Sequence, residues 1–275
     1  MKHGMRVKQV LVGVLATSLM FGSAVDASAG TTIKIAGAFA AQPLVAKIAT
    51  AWHTATGNSA TVAGGGAGFG VACGSTGTCD IGMSSRDKTS SDGGFWTPFA
   101  KDGLDVVVNP WMHAHGVSNL TIAQVKGIFL GTIRNWHSVG GPNKTIQVYQ
   151  RAASTGTESM FKLLFLGSSS AVICCNAPAL LSDGIMRQTI GTHKYAIGFD
   201  SMYFQITGPT DEYGVSIDGV APTLLNAKSG RYKYIRTFYY VTQVRPTGLV
   251  ASFINYTLTT HVQHSIVGQY WIPLK

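Results

Sequence analysis

The sequence predicts an α/β fold in which strands and helices alternate along the chain. Short β-type runs precede segments with helical spacing of apolar residues, and glycine occurs at the strand-to-helix turns. The chain has 275 residues, which exceeds the usual size of one compact domain. Together these observations favour layered α/β structure arranged as two lobes of similar size.

The beginning of the chain has the three parts of an export signal. Lys2, Arg6 and Lys8 form a positive start, an apolar stretch follows, and Ala27-Ser28-Ala29 is a cleavage site. We therefore predict a signal peptide over residues 1–29. The apolar stretch is too short and too interrupted for a membrane span, and no cysteine for a lipid anchor follows it. Export to the periplasm is the prediction, with secretion as the alternative.

The chain is basic. Its formal charge is +9 at pH 7, and after loss of the signal peptide 18 basic and 11 acidic residues remain, which gives +7. This balance suits an anionic partner, large or small. The basic residues are scattered apart from Lys228, Arg231, Lys233 and Arg236. We interpret that cluster as a strand edge or solvated face and expect no nucleic-acid partner.

Four cysteines in an exported chain indicate disulfides rather than catalysis. Cys73 and Cys79 enclose a short loop of small residues and are the natural pair. The pairing of the adjacent Cys174 and Cys175 stays open, because a bridge between neighbours strains the peptide geometry. A Cys73–Cys79 bridge lies within one lobe and would leave the lobes free to move.

The periodicity of apolar residues places the main elements. Strands are expected at "TTIKIAGA", "SATVAGG", "CDIGM", "LDVVVNP", "TIQVYQR" and "YIRTFYYVT", and helices at "PLVAKIATAWHTATG", after the glycine-rich turn "AGGGAG", at "LTIAQVKGIFLG", "GTESMFKLLFLG" and "PTGLVASFINYTLTTHVQHSIVGQ". Thr121 and Gln124 have the spacing of a capping box at the start of the third of these helices.

The segment "RAASTGTESMF" has the pattern of an anion site at a helix N-terminus. The first turn of a helix presents unpaired N–H groups and a partial positive charge. Gly156 permits close approach, Thr155 and Thr157 supply hydroxyl groups, and Arg151 supplies a permanent positive charge. The alternative is that Thr155 is only an N-cap, paired with Glu158 in a capping box, while Arg151 faces water.

Two further turns, "AGAFAAQPL" and "AGGGAGFGVAC", also consist of small residues that lead into a helix. Each is weak evidence alone, because glycine-rich turns are common. Three helix N-termini of this character favour a convergent anion site over three unrelated caps.

The chain resembles the phosphate-binding capture proteins of bacterial ABC importers, which have the type II periplasmic-binding-protein fold. The resemblance covers nearly all of the predicted mature chain. It is carried by "IKIAGA", "CDIGMSSR", "LTIAQVKGIFLGTIRNWHSVGG", "RAASTGTESMF", "KYAIGFDS", "DGVAPTLLNAKSGRYKYIRTFYYV" and "HSIVGQYWIPL". The most specific parts are "GIFLGTIRNW" and the spacing from the arginine to Thr-Gly-Thr.

The resemblance implies two lobes, residues 30–109 with 198–275 and residues 110–197. Each would be a mixed sheet flanked by helices, and two hinge strands would join them, with chain crossings near Asn109 and Gly198. The implied ligand-binding residues, in order, are Phe39, Ala40, Ala67, Gly68, Ser84, Ser85, Arg86, Arg151, Thr155, Gly156 and Thr157.

Some of these positions depart from the family pattern. Phe39, Ala40 and Ala41 stand in the first turn where the family commonly has hydroxyl residues, and Ala67 replaces a common serine in the second turn. Ser85 stands where the best-known members have an aspartate that accepts the proton of hydrogen phosphate. Because that carboxylate rejects fully ionised sulfate, its absence weakens the discrimination between the two anions. Asp87 is the candidate replacement if the loop shifts.

The family binds and releases its ligand unchanged, so we predict a monomeric capture protein rather than an enzyme. Its partners would be phosphate and the membrane permease subunits of an ABC importer, and no cofactor is expected. The alternative is a secreted or surface interaction protein with the same fold and a degenerate site. If Arg151 and the Thr-Gly-Thr turn form half of an oxyanion clamp, Arg151→Ala should abolish anion binding and leave the fold intact.

Two other chemistries are disfavoured. Ser85 and Lys88 fit Ser-x-x-Lys, and residues 228–230 resemble Lys-Thr-Gly, but no Ser-x-Asn lies between them, as a penicillin-recognising enzyme requires. The histidine pairs at 113 and 115 and at 261 and 264 have no nearby carboxylate to complete a metal site. We interpret them as surface or capping histidines.

Overall fold

The structure is a computed structural model and describes residue 1 and residues 32–208 and 210–274. The predicted signal peptide lies outside the described residues, apart from Met1. Among the helices of the described part, none is both long enough and apolar enough to cross a membrane.

The strands alternate with helices, as the sequence predicts. The strands are β1 (Thr32–Gly37), β2 (Ser59–Gly64), β3 (Ile81–Ser84), β4 (Phe95–Val108), β5 (Asn119–Leu120), β6 (Gln147–Val148), β7 (Gln150–Arg151), β8 (Ala179–Leu180), β9 (Ala196–Ser201), β10 (Tyr213–Gly214), β11 (Ser216–Ile217) and β12 (Ile235–Thr242).

The helices are α1 (Gln42–Thr56), α2 (Ala67–Thr76), α3 (Pro110–Ala114), α4 (Ile122–Leu130), α5 (Gly156–Phe161), α6 (Asp183–Thr192), α7 (Met202–Thr207), α8 (Leu224–Lys228), α9 (Gly248–Thr257), α10 (Thr260–Val262) and α11 (Gly268–Tyr270). A π-helical turn, Lys162–Leu166, continues α5, and a second, Gln263–Val267, joins α10 to α11.

The local signals in the sequence explain several helix ends. At α1, proline lies in the first turn and Gly57 takes a left-handed conformation (φ 75°) just after the last turn. At α4, both hydrogen bonds of the predicted capping box between Thr121 and Gln124 are present.

One mixed sheet runs through the molecule in the order β2-β1-β3-β12-β4-β9-β6, with β10 paired to β4. The pairs β1–β2, β1–β3 and β6–β9 are parallel, whereas β12 and β4 are antiparallel to their neighbours. The 14-residue strand β4 pairs with β12 over residues 95–103 and with β9 over residues 104–108. The two halves of the sheet are therefore joined through β4.

Each of the two parts of this sheet carries one large apolar core. The first core includes Trp52, Phe99, Phe238, Phe253 and Trp271 and packs α1 and α9 onto β1, β3 and β12. The second core is built around aromatic and aliphatic residues of β4, α4, α5 and β9, namely Leu104, Val106, Phe129, Phe161 and Phe199. On β4, the change from one core to the other falls between Ala100 and Leu104.

The predicted division of the chain at residues 109 and 198 stays a prediction. The packing associates Val215, Ile217, Ala227 and Tyr232 with the second core, although the prediction assigns this part of the chain to the first lobe. A division by cores would therefore return the chain to the first lobe nearer to β12.

Two disulfides are present. Cys73 is joined to Cys79, the predicted pair, and Cys174 is joined to its neighbour Cys175, the pair left open from the sequence. Cys175 and Asn176 have φ values of 68° and 50°, so the neighbouring bridge is accommodated by left-handed backbone immediately after Cys174.

The helix α2 packs directly on β3 through glycine. A Cβ atom on Gly82 would touch the carbonyl oxygen of Gly70, lie 2.8 Å from its carbonyl carbon and lie 3.2 Å from the Cα of Gly74. Because these are backbone atoms, only a shift of the whole helix could make room. This contact fixes the height of α2, and hence of its first turn, above the sheet.

We predict that Gly82→Ala lowers the free energy of unfolding by about 2 kcal/mol or more, because the added methyl group overpacks a backbone contact. The matched control is Gly184→Ala on α6, where a Cβ atom meets nothing within 4 Å and alanine has the better helix propensity. Thermal unfolding of both variants measures the difference. Equal stability of the Gly82→Ala variant and the unmodified protein would contradict the packing argument.

Candidate anion site

Four turns meet at one place in the structure. They lead from β1 into α1, from β2 into α2, out of β3, and from β7 into α5. Met83 O accepts from the N–H of Ala38 (2.9 Å), and Gly37 O accepts from the N–H of Gly66 (3.0 Å). The N–H of Gly68 donates in turn to Ser154 O (3.0 Å), which joins the first-core turns to the α5 turn.

Gly156 is in direct contact with the end of β3. A Cβ atom there would touch the Ser85 hydroxyl and come within 2.8 Å of the Ser85 carbonyl carbon and 3.0 Å of the Arg86 nitrogen. Any larger residue would hold the α5 turn away from β3. The glycine of Thr-Gly-Thr is thus explained by close approach, and the two parts of the molecule are closed on one another at this point.

The first-core helices enter this contact without side-chain caps. No side chain caps α1 at Ala41 or α2 at Gly66, whereas Thr121 caps α4 and Ser182 caps α6. The N–H groups of an uncapped first turn keep their capacity to bind an oxyanion. The absence of hydroxyl residues at positions 39, 40 and 67 is therefore compatible with donation from the backbone.

The predicted residues of these turns are mostly enclosed. Ala40, Ala67, Ser84 and Ser85 are buried, and Phe39 is half-buried. The Ser84 hydroxyl is occupied by its own turn, because it donates to Arg86 O (2.9 Å) and accepts from the Arg86 N–H (3.3 Å). The Ser85 hydroxyl faces Gly156.

Arg86 and Asp87 point away from the contact. The guanidinium of Arg86 binds both carboxylate oxygens of Asp92, at 2.6 and 2.9 Å, and this interaction lowers the pKa of Asp92 well below its usual range. Asp87 is exposed and accepts a hydrogen bond from the hydroxyl of Tyr239 (3.1 Å). Asp87 is therefore not placed to replace the missing acceptor carboxylate, and Arg86 offers this turn its backbone rather than its charge.

In the α5 turn, the two threonines differ. Thr155 acts as the N-cap: its hydroxyl accepts from the N–H of Glu158 (3.3 Å) and donates to Ala152 O (2.8 Å). Glu158 does not complete the capping box, because its carboxylate accepts from the N–H of Arg151 instead (3.0 Å). The Thr157 hydroxyl is buried, and its oxygen accepts a hydrogen bond from Arg236 Nη1 (2.8 Å).

Arg151 is buried, contrary to the alternative in which it faces water; its exposed fraction is 1%. Its guanidinium binds Asp200 at 3.2 Å and Asp183 at 2.8 and 3.1 Å. Two further bonds go to the carbonyl oxygens of Leu180 and Leu181, each at 3.2 Å. In this closed arrangement, all three guanidinium nitrogens are bound to protein oxygens.

The pKa values of the two carboxyl groups around Arg151 are shifted in opposite directions. Burial alone would raise the pKa of Asp183, but the charge of Arg151 and the hydrogen bonds with Asp200 and Arg151 together outweigh burial and lower that pKa below its ordinary value. Burial and the negative charge of Asp183 raise the pKa of Asp200 well above its ordinary value. One guanidinium thus compensates one carboxylate, and the second is held in its protonated form.

Sequence reasoning missed a second buried arginine. Lys228, Arg231 and Lys233 are exposed, as the interpretation of the cluster expects, but Arg236 is 2% exposed and pairs with Asp102. The signal was the alternation of β12, since Arg236 shares the inward parity of Phe238 and Tyr240. For Arg236, the interpretation as a solvated face is wrong.

The two histidine pairs singled out in the sequence lie apart from any metal-binding cluster of the described residues. His115 stacks on Trp111, with ring centroids 3.8 Å apart, and His261 and His264 are exposed. Across residues 32–208 and 210–274, no group of three or more histidine, cysteine or acidic side chains is arranged to hold a metal ion.

A mixed sheet with two cores and a site of helix N-termini between them is the architecture of a two-lobed solute-binding protein. A family model described as a PBP superfamily domain matches residues 22–260. The chain belongs to the PBP superfamily, and the predicted fold class is confirmed.

The relatives define the similarity more closely. The phosphate-binding protein PstS of Bacillus subtilis is 28% identical over 258 residues, which cover 90% of this chain and 83% of that protein. PstS of Borreliella burgdorferi is 25% identical and covers 71% of this chain and 72% of its own. The resemblance to phosphate-binding capture proteins that the motifs predicted is thus confirmed.

A solved structure from Clostridium perfringens, a phosphate ABC transporter substrate-binding protein with bound phosphate, superposes with a TM-score of 0.81. It is 25% identical and covers 89% of this chain and 100% of that one. An ABC-type phosphate transport receptor from Vibrio cholerae gives a TM-score of 0.69 at 26% identity, with 87% and 99% covered.

The geometry changes the expectation for Arg151→Ala. Without Arg151, Asp183 and Asp200 would lie buried and without their cation, so we predict a loss of about 3–5 kcal/mol in stability and a fall in Tm of about 10 °C. The control is Arg231→Ala, at an exposed arginine. Calorimetry at pH 5 and pH 8 checks this, and an unchanged Tm at both values would refute it.

Buried carboxyl groups with raised pKa values should make the stability of the fold depend on pH. Burial raises the pKa of Asp102 to about 6 and that of Glu212 to about 8, from 3.8 and 4.5. A carboxyl whose pKa is raised by folding stabilises the fold below its unfolded pKa, and this contribution is lost as pH rises through the folded pKa. Stability should therefore fall between pH 5 and pH 8.

Glu212→Gln should flatten that decline and raise Tm at pH 8 more than at pH 5, because the buried charge is removed. Asp87→Asn, at an exposed carboxylate, serves as the control. Thermal unfolding followed by circular dichroism between pH 5 and pH 8 measures the slopes. Parallel slopes for Glu212→Gln and the unmodified protein would contradict the assignment.

Proposed function

We propose that this protein captures inorganic phosphate, or a similar tetrahedral oxyanion, between its two lobes. The observation that carries the proposal is the meeting of two uncapped helix N-termini, those of α1 and α2, with the first turn of α5. Such turns offer several N–H donors to one anion, and their dipoles favour its negative charge. The names of the relatives from Bacillus, Clostridium and Vibrio support phosphate as the anion.

The proposed ligand-binding residues are those predicted from the sequence, with their roles divided. Backbone N–H groups would come from Phe39, Ala40, Ala67, Ser85, Gly156 and Thr157. Gly68 and Arg86 shape their turns, because the N–H of Gly68 donates to Ser154 O and that of Arg86 to the Ser84 hydroxyl. Hydroxyl groups would come from Ser85 and Thr157. Thr155 acts as the helix cap, Ser84 shapes its turn, and Arg151 contributes positive charge from behind the turn.

This donor set lacks a carboxylate acceptor at position 85, and Asp87 is directed elsewhere. A hydroxyl can both donate and accept a hydrogen bond, so Ser85 can accept the proton of hydrogen phosphate without repelling sulfate. We therefore expect the protein to prefer phosphate by a smaller margin than a site with a carboxylate would.

Capture and release would proceed without chemistry on the ligand. The lobes meet through Gly68 with Ser154 and through Gly156 with Ser85. These are close contacts of small residues, so separation of the lobes exposes the donors to water, and closure excludes it. The closed form would deliver the anion to the permease subunits of an ABC importer, with the monomer acting in the periplasm or outside the cell.

The alternative is an exported interaction protein that keeps the fold and no longer binds an anion tightly. The engagement of every Arg151 guanidinium nitrogen by protein oxygens favours it, because an anion would have to compete with Asp183 and Asp200 for those donors.

Isothermal titration of the purified, ligand-stripped mature protein distinguishes the two functions. We expect phosphate to bind tightly, in the range below about 10 μM, and sulfate to compete measurably at pH 6 and pH 8. If neither anion binds, the proposal of anion capture is contradicted and the alternative of an interaction protein is favoured. Complete rejection of sulfate would show that a proton acceptor other than Ser85 operates.

A further inference from the structure

Arg236 lies at the point where the sheet passes from one core to the other. It stands on β12 opposite Asp102 on β4, and its Nε and Nη2 atoms both donate to Asp102 Oδ2, at 2.9 and 2.7 Å. The other oxygen of Asp102 accepts from the hydroxyl of Ser201 on β9 (2.9 Å). Three adjacent strands therefore fix the orientation of this guanidinium.

The remaining terminal nitrogen of Arg236 reaches the proposed anion site. Nη1 donates to the hydroxyl oxygen of Thr157 at 2.8 Å, and both side chains are buried. Arginine has donors only, whereas a threonine hydroxyl can donate or accept. The contact with Arg236 thus commits the Thr157 oxygen as an acceptor on that side, and its hydrogen must point elsewhere.

Two neighbouring hydroxyls have backbone acceptors. Thr155 donates to Ala152 O (2.8 Å), and Ser159 donates to Gly156 O (3.1 Å). Within the described residues, the hydrogen bond from Arg236 is the one hydrogen bond of the Thr157 hydroxyl. A buried O–H without an acceptor is unfavourable, and an oxyanion at the α5 turn would supply that acceptor.

We propose that Arg236 is a positioning residue of the anion site, which holds the Thr157 hydroxyl as an obligatory donor toward the bound oxyanion. This inference rests on the proposed function. The charge of Arg236 also polarises the Thr157 O–H bond and strengthens its donation. Asp102 serves to aim the guanidinium, and the chain Ser201, Asp102, Arg236 and Thr157 connects β9, β4 and β12 to the proposed anion site.

The test is a double-mutant cycle on phosphate affinity. Titration calorimetry compares the unmodified protein with Arg236→Met, Thr157→Val and the variant carrying both changes. Each single change should weaken binding roughly tenfold to hundredfold, the range for a hydrogen bond to a charged group. The combined variant should bind as weakly as either single one, because Arg236 acts through Thr157.

Arg231→Met, at an exposed arginine five residues earlier, is the matched control for loss of positive charge and should bind phosphate as the unmodified protein does. Losses that add in the combined variant, or unchanged affinity of Arg236→Met, would overturn the inference while the proposed function stands. Absence of phosphate binding by the unmodified protein would overturn both.

Arg236→Met alone leaves Asp102 buried without its partner, which destabilises the folded protein. The variant Asp102→Asn with Arg236→Met avoids that charge and keeps the test decisive, with folding checked by thermal unfolding. It should show the same loss of affinity as Arg236→Met. Recovery of full affinity would mean that Arg236 only neutralises Asp102, and the inference would be wrong.

Discussion

The pairing of β4 with two different partners is the constraint on which the molecule depends. Along β12, β4 forms part of the first core, and along β9 it forms part of the second. A single strand thus sets the distance and the angle between the parts of the protein that carry the facing turns. The turns can meet at Gly156 and Ser85 because this shared strand holds their supporting layers in register.

The crossing between cores also carries buried charge. Asp102 and Arg236 face one another there, and Arg151, Asp183 and Asp200 form a second group nearby on the second-core side. Charges at such positions are costly to bury unless they are paired and hydrogen-bonded. These charged groups lie between the two apolar cores rather than at the surface. They are therefore close to the place where an anion would bind.

The sequence predicted much of this arrangement, because local rules determine it. Apolar periodicity located β1, β3, α1 and α4, and the capping box at Thr121 fixed the start of α4. The first half of β4 was missed, since Pro98, Lys101, Asp102 and Gly103 interrupt its apolar pattern. That segment is a strand because β12 pairs with it over a register shift near Tyr239, a long-range interaction with no local signal.

In the candidate site too, the features with a local sequence signal were predicted and those that depend on distant residues were not. Gly156 and the helix-entry turns were predicted because turn chemistry is local. The partners of Arg151 were not, because Asp183 and Asp200 are 32 and 49 residues away in sequence. The direction of Asp87 likewise depends on Tyr239, which comes 152 residues later. Residue types indicated which groups were available, and only the tertiary structure determined where each one points.

The disulfides have a consequence for how the chain matures. Four cysteines can pair in three ways, yet both bridges join partners close in sequence, six residues apart and one residue apart. Short loops close with little entropic cost, so each correct bridge can form from a nearby segment before β12 has been paired. Oxidation of the emerging chain therefore requires no search between distant cysteines, and the slow step of folding is left to the long-range assembly of the sheet.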